Sequence, residues 1–180
     1  MKKSISVYLI SAILFVACNK NETQIPTCEN CNFTCLEINE PGILTNNCIN
    51  NWECNFKVVP KSKVDLSKHD GLALGDKIVF QMIKSTQGIK EVADDEISEI
   101  LVFEIDENQN SFSVSDEELE NMAVSFRRIC YCPEVEFKRI ISGCMQGEKQ
   151  SDGTWFIQGN LNLHYSSGPK EIKFDAKFAN

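Results

Sequence analysis

The feature that most limits the fold is a strict two-residue alternation at the C-terminal end of the chain. Between Thr154 and Tyr165, the residues Trp155, Ile157, Leu161, Leu163 and Tyr165 share one parity, with Gly159 in line; Gln158, Asn160, Asn162 and His164 take the other. After Ser166-Ser167-Gly168-Pro169, a turn signal, Ile172, Phe174, Ala176 and Phe178 alternate with Glu171, Lys173, Asp175 and Lys177. Successive side chains of a strand point to opposite faces, so this pattern is an antiparallel hairpin with one face buried and one wet. Gly143 to Lys149 is placed to pair back onto it through the turn Ser151-Asp152-Gly153.

Earlier strand candidates are Phe56–Val59, Lys77–Ile83, Ile100–Ile105, Ser111–Val114, Ala123–Tyr131 and Val135–Ile141, the last also compatible with a helical turn. Polar dividers separate them at Gly75-Asp76, Ser85 to Gly88 and Asp106 to Asn110. Ser115-Asp116-Glu117-Glu118 reads as a capping box with Val114 and Leu119 as its hydrophobic staple, predicting a short helix over Asp116–Asn121. A second short helix is expected over Asp94–Glu99. No long segment has a strong helical period and no repeat of fixed length is present. The expected fold is therefore all-β: an antiparallel meander of about eight strands, as a barrel or a two-sheet sandwich, with one or two helical turns. The hairpin Gly147…Asp152-Gly153-Thr154-Trp155 and the Phe174/Phe178 ending resemble the lipocalin-like lipoproteins of Gram-negative bacteria over roughly the last 40 residues. That resemblance implies an up-and-down, lipocalin-like barrel.

The N-terminus is of another kind. Lys2 and Lys3 precede an apolar run from Ile5 to Ala17 interrupted only by Ser6 and Ser11. This is the basic and apolar composition of a secretory signal, and the run is shorter than the ~20 residues a membrane-spanning helix needs. It ends in Phe15-Val16-Ala17-Cys18, which resembles the lipobox of bacterial lipoproteins; the position three before the cysteine, Leu in most of that family, is Phe15 here. The resemblance implies cleavage before Cys18 and acylation of its thiol. In Gram-negative lipoproteins Asp just after the cysteine favours retention at the inner membrane; Asn19 stands there, so the resemblance implies the outer membrane, on its periplasmic or extracellular face. Three parts are expected: a signal peptide over 1–17, a lipidated end and flexible tether over 18–27, and one domain over 28–180 in which a Cys-rich segment, 28–54, docks on 55–180 through Trp52 and Phe56.

Cysteine parity bears on the same point. The chain has nine cysteines. Giving Cys18 to lipid leaves an even set for an oxidising compartment: Cys28, Cys31, Cys35, Cys48 and Cys54 in one group, Cys130, Cys132 and Cys144 in the other. Both groups are odd, so full oxidation within one chain requires at least one bond between them. A link such as Cys54 to Cys130 would close about 76 residues and contribute up to ~4 kcal/mol in the chain-entropy model. Cys28-x-x-Cys31-x-x-x-Cys35 lacks the second close ligand pair of a structural zinc site. Cys130-Tyr131-Cys132 on a strand would turn both thiols to one face, each towards a neighbouring partner, rather than bind copper.

Signals for chemistry are sparse. Asp106, Asn108, Asn110 and Glu117 hold positions one, three, five and twelve of a calcium loop, but Ser111 stands where the turn needs glycine and the flanks read as strands, so a polar turn with no metal is expected. The acids Asp94, Asp95, Glu96 and Glu99, and Asp116, Glu117, Glu118 and Glu120, read as solvated faces rather than as a carboxylate pair across a cleft. His69 lies in a loop and His164 on a polar face; Arg127 and Arg128 are expected to pair with surface acids. Asn32-Phe33-Thr34 matches a glycosylation sequon that carries little weight in a bacterial chain. No catalytic residue and no cofactor is called for. The net charge is −8, and removing Lys2 and Lys3 takes it to −10, which disfavours nucleic acid as a partner. The expectation is a non-enzymatic, membrane-anchored lipoprotein that binds a small apolar ligand, a glycan or an envelope protein, alternatively an inhibitor or structural interaction protein of the envelope. An open apolar cavity would favour the first; a filled core with exposed apolar surface near Trp52 or Tyr131 would favour the second.

Overall fold

The computed structural model describes residues 52–86 and 96–179. The lipobox with Cys18, the tether, Cys28, Cys31, Cys35, Cys48, the sequon and Asp94-Asp95 lie outside these residues. Among the described residues, ten strands form two antiparallel sheets. The larger contains β1 (Trp52–Val64), β2 (Leu72–Leu74), β3 (Lys77–Thr86), β4 (Ser98–Asp106), β6 (Ser125–Ile129) and β7 (Lys138–Arg139) in the order β2-β1-β3-β4-β6-β7. The smaller contains β5 (Ser111–Ser115), β8 (Gly143–Lys149), β9 (Trp155–Tyr165) and β10 (Gly168–Phe178) in the order β10-β9-β8-β5. The fold is all-β, as the alternation predicts, with one sheet curled into a half-barrel over the other.

The smaller sheet follows the sequence pattern closely. β9 pairs with β10 from Trp155↔Phe178 to Tyr165↔Gly168, so Ser166-Ser167 alone makes the turn. Asp152 stabilises the preceding turn, its Oδ1 accepting from the Thr154 amide at 3.0 Å, and its other oxygen pairs with Lys177 at 2.8 Å.

Inward-facing residues of the two sheets form one core. Phe80 stacks on Phe103 with centroids 5.0 Å apart and meets Trp155 and Phe178 edge-on at 5.2 and 5.6 Å; such contacts add roughly 0.5–1.5 kcal/mol each beyond area burial. On one side the sheets are joined where the Val58 amide donates to the Ala179 carbonyl at 2.8 Å, beside a parallel bridge Lys57↔Ala179. On the other, the one-turn helix α1 (Glu118–Asn121) carries the chain from β5 to β6 and inserts fully buried Leu119.

Several expectations are corrected. The helix expected over Asp116–Asn121 begins only at Glu118, because Asp116 takes φ +46°; the capping box is half made, Glu118 Oε2 accepting from the Ser115 amide at 3.1 Å. Ser98 and Glu99 belong to β4, so no helix runs to Glu99. β2 has no counterpart among the expected strands. Val135–Ile141 is largely a loop with only β7 in it, and that loop lies over the outer face of β3 and β4. There Val79, Ile100 and Val102 form a second small core with Phe137, Leu72 and Val64.

Cys130 and Cys132 do not lie on a strand. β6 ends at Ile129, and a bend brings their Cα atoms to 5.2 Å and joins the two thiols to each other. The illustrative link from Cys54 to Cys130 is therefore not formed, although Cys54 is itself disulfide-bonded. Cys144 is buried at 2% exposure, and since Met145 faces the core, its side chain lies on the other face of β8.

Candidate functional site

Residues directly opposite each other in an antiparallel pair point to the same face, so the register of the larger sheet can be read as rows across its concave side. One row is Val58, Phe80 and Phe103. The next is Phe56, Met82, Leu101, Phe126 and Lys138. The row after that, still on the face turned to the core, is Cys54, Lys84, Glu99 and Arg128. The opposite sheet changes at the same end: the inward series of β10 runs Phe178, Ala176, Phe174, Ile172 and then Lys170, and that of β9 ends in Tyr165. At one end of the sandwich, four inward positions that continue apolar series therefore carry charge. Local violations of the hydrophobic pattern are where functional sites are sought.

The charges are interlocked. Glu99 Oε1 accepts from Arg128 Nε at 3.3 Å and Nη2 at 3.1 Å, and also from Lys170 Nζ. The Glu99 side chain is 14% exposed, Lys170 21% and Arg128 33%, so the cluster is shielded but in contact with solvent. Lys84 stands between Cys54 and Glu99 in the row, and makes no hydrogen bond or ion pair to a described residue; burial lowers its pKa, against the pull of Glu99 and assisted by the neighbouring Lys170. Three cations thus meet one carboxylate.

Tyr165 closes the cluster from the smaller sheet. Arg128 and Lys138 lie over its ring at 5.6 and 4.8 Å from the centroid, and Lys170 lies 5.2 Å from that of Phe126. Cation–π contacts of this kind contribute about 0.5–2 kcal/mol. The Tyr165 hydroxyl oxygen is sealed from solvent and has no partner among the described residues. Burial pushes its pKa up to about 12. Glu134 anchors the adjacent loop, accepting from Lys138 and from the Ser166 amide, the latter at 2.7 Å, which holds its carboxyl down at about 2. The tip of this loop, braced by Cys130–Cys132, presents Tyr131 at 93% exposure.

The other residues singled out in the sequence do not converge. Asp106 pairs with Lys77 at the β4–β5 turn, whereas Glu117 lies beyond the far end of β5; five extended residues rise about 17 Å, so Asp106, Asn108, Asn110 and Glu117 do not encircle a cation. No group of three or more metal-ligating side chains occurs among the described residues. Arg127 and Arg128 do not pair with surface acids: Arg128 turns inward to Glu99, and Arg127 donates to the Val135 carbonyl at 2.6 Å and the His69 carbonyl at 3.0 Å, with its guanidinium over Phe137. A cleft of about 540 Å³ lies beside it, lined by Lys68, His69 and Glu136. Since Arg127 pins the two loops that form this cleft, its role there is structural. His164 stays exposed on the outer face of β9. Glu99, first read as part of a solvated face, is the anion of the charged row. The signal for that row was present as spacing, Phe80-Met82-Lys84 and Phe126-Arg128, but only strand register shows that the steps end side by side.

Fold and site define a class: an all-β sandwich with a filled aromatic core and a cationic cluster at one end. Compared with protein-family models, curated proteins and solved structures, the chain has no match in any of the three.

Proposed function

We propose that this chain is a lipid-anchored protein of a bacterial cell envelope that binds a ligand without chemical turnover, at the end of the sandwich formed by Lys84, Glu99, Arg128, Tyr165 and Lys170. The observation that carries the reading is the register: at this end Lys84, Glu99, Arg128 and Lys170 take inward positions that continue apolar series and all four are partly buried, whereas Lys149, which ends the row of Trp155 and Phe178 at the other end, is exposed. A charged row in place of apolar side chains weakens a core, so its presence is better explained by a ligand than by stability. Acylation of Cys18, a removed signal over 1–17 and an outer-membrane location belong to the same proposal and rest on the lipobox and cysteine parity. With Cys130 joined to Cys132, full oxidation of the remaining set requires that the bond to the 28–54 group be made by Cys144, and that bond is part of the proposal. No catalytic residue and no cofactor is part of the reading.

Interaction with an envelope protein through the loop tip is the second reading, favoured by Tyr131 and by the filled core. One experiment separates the parts: native and peptide mass spectrometry of protein purified from its own membrane. The proposal expects an N-terminal acylated Cys18, a bridge from Cys144 to the 28–54 group, and a retained ligand mass that disappears in a Lys84→Met variant. An uncleaved N-terminus would contradict the anchor. A ligand retained equally by the variant would contradict the site, and a protein partner lost on Tyr131→Ser instead would favour the second reading.

A further inference from the structure

Resting on that reading of the charged end, we infer that its ligand presents a small oxyanion, a carboxylate or phosphate group, which Lys84, Lys170 and Arg128 hold together with the Tyr165 hydroxyl. Three observations converge. The first is charge. Among the described residues, Lys84, Arg128 and Lys170 face inward around Glu99 alone, an excess of two positive charges within that set, because the nearby Lys138 is already paired with Glu134. A chain of net charge −8 thus gathers cations in excess of the described anions in a half-buried place, and buried charge is costly unless it is paired. An anion supplies the pairing.

The second observation is chemical. Glu99 shows what the cluster is built to hold, since one carboxylate oxygen already receives the Arg128 fork and the Lys170 ammonium. Arginine forks and lysine ammonium groups are the donors with which proteins hold carboxylate and phosphate. Lys84, beside Glu99 in the row, has made no such bond to any described residue.

The third is the Tyr165 hydroxyl. Its oxygen is sealed from solvent with no hydrogen-bonding group of the described residues in reach, and a buried polar group left unpaired costs about 1–3 kcal/mol. Arg128 and Lys138 lie over the ring that carries it, and in the proposed complex the hydroxyl donates a hydrogen bond to the bound oxyanion. The acidic surface of the chain opposes close approach to anionic headgroups, which points to a soluble ligand rather than to lipid.

The test is thermal unfolding of the full mature protein in inorganic phosphate, in acetate and in chloride, at matched ionic strength. Phosphate or acetate is expected to raise the melting temperature saturably, by about 3–6 °C at roughly ten times the dissociation constant, with chloride ineffective. The rise should vanish in Lys84→Met and shrink in Tyr165→Phe. Rises equal to that in chloride, or unchanged in Lys84→Met, would overturn the inference, as would sedimentation with phosphatidylglycerol vesicles without any response to phosphate or acetate. If the oxyanions fail but a ligand mass still depends on Lys84 in the membrane-purified protein, the site stands and only the ligand class is wrong.

Discussion

Gly159 occupies an inward position of β9 where every neighbour in the series is large, and the reason is the ring of Phe174. A Cβ there would lie 2.5 Å from Phe174 Cε1, 2.7 Å from Cζ and 3.2 Å from Met145 Cγ. Phe174 is itself 3% exposed and has little room to swing. Gly159→Ala should therefore lower the unfolding free energy by about 1–3 kcal/mol, the usual cost of overpacking a core, as read by urea denaturation; an unchanged midpoint would mean that the ring gives way freely. The parity of Gly159 was legible in the sequence because the residues around it alternate cleanly. That of Lys84 was not. In β3, Ile78, Val79, Phe80, Gln81 and Met82 are all buried, because the 130–137 and 65–71 loops cover the outer face while the second sheet covers the inner one. A strand buried on both sides shows no alternation, so nothing in the linear pattern said towards which side Lys84 points.

At the scale of elements, the smaller sheet could be read almost to its ends, since three of its strands are successive hairpins with one wet face. The helical turn was legible in kind but not in extent. Its capping box requires Ser115 to enter the helix directly, whereas the chain first crosses from one sheet to the other, which puts Asp116 at φ +46° and ties its amide to the Gly143 carbonyl at 2.8 Å. What holds α1 is not its single turn, too short to be stable alone, but Leu119, which is fully buried in the common core. Leu119→Ala should cost about 2–5 kcal/mol and release α1 early in native-state hydrogen exchange. A loss below about 1 kcal/mol would show that α1 is a passive connection. The larger sheet was less legible. β2 and β7 are short edge strands of three and two residues, and their pairing is fixed by the loops that carry them rather than by any periodicity. The Cys130–Cys132 bond belongs with these loops: it forms because β6 stops at Ile129, a boundary that the apolar run through Tyr131 conceals.

Across the whole molecule, the two sheets meet at β1 and β10 on one side and through α1 on the other, which leaves two ends of different character. One carries the β4–β5 and β8–β9 turns, with surface ion pairs at Lys77–Asp106 and Lys177–Asp152. The other gathers the start of β1, the β9–β10 turn, the disulfide-braced loop and the charged row. The chain enters the described sandwich at this second end, through Trp52 and the bonded Cys54. The core itself is occupied by side chains, and the proposed binding at the end of the sandwich would leave the aromatic cluster intact. The central claim is that the charged row serves a ligand and not the fold. Equilibrium urea unfolding of Lys84→Met in the absence of added anion tests it most directly. Methionine keeps the length of the side chain and removes a charge that lacks a partner among the described residues, so stability should be unchanged or higher. A loss of more than about 1 kcal/mol would mean that Lys84 is part of what holds the sandwich together, and would contradict the account.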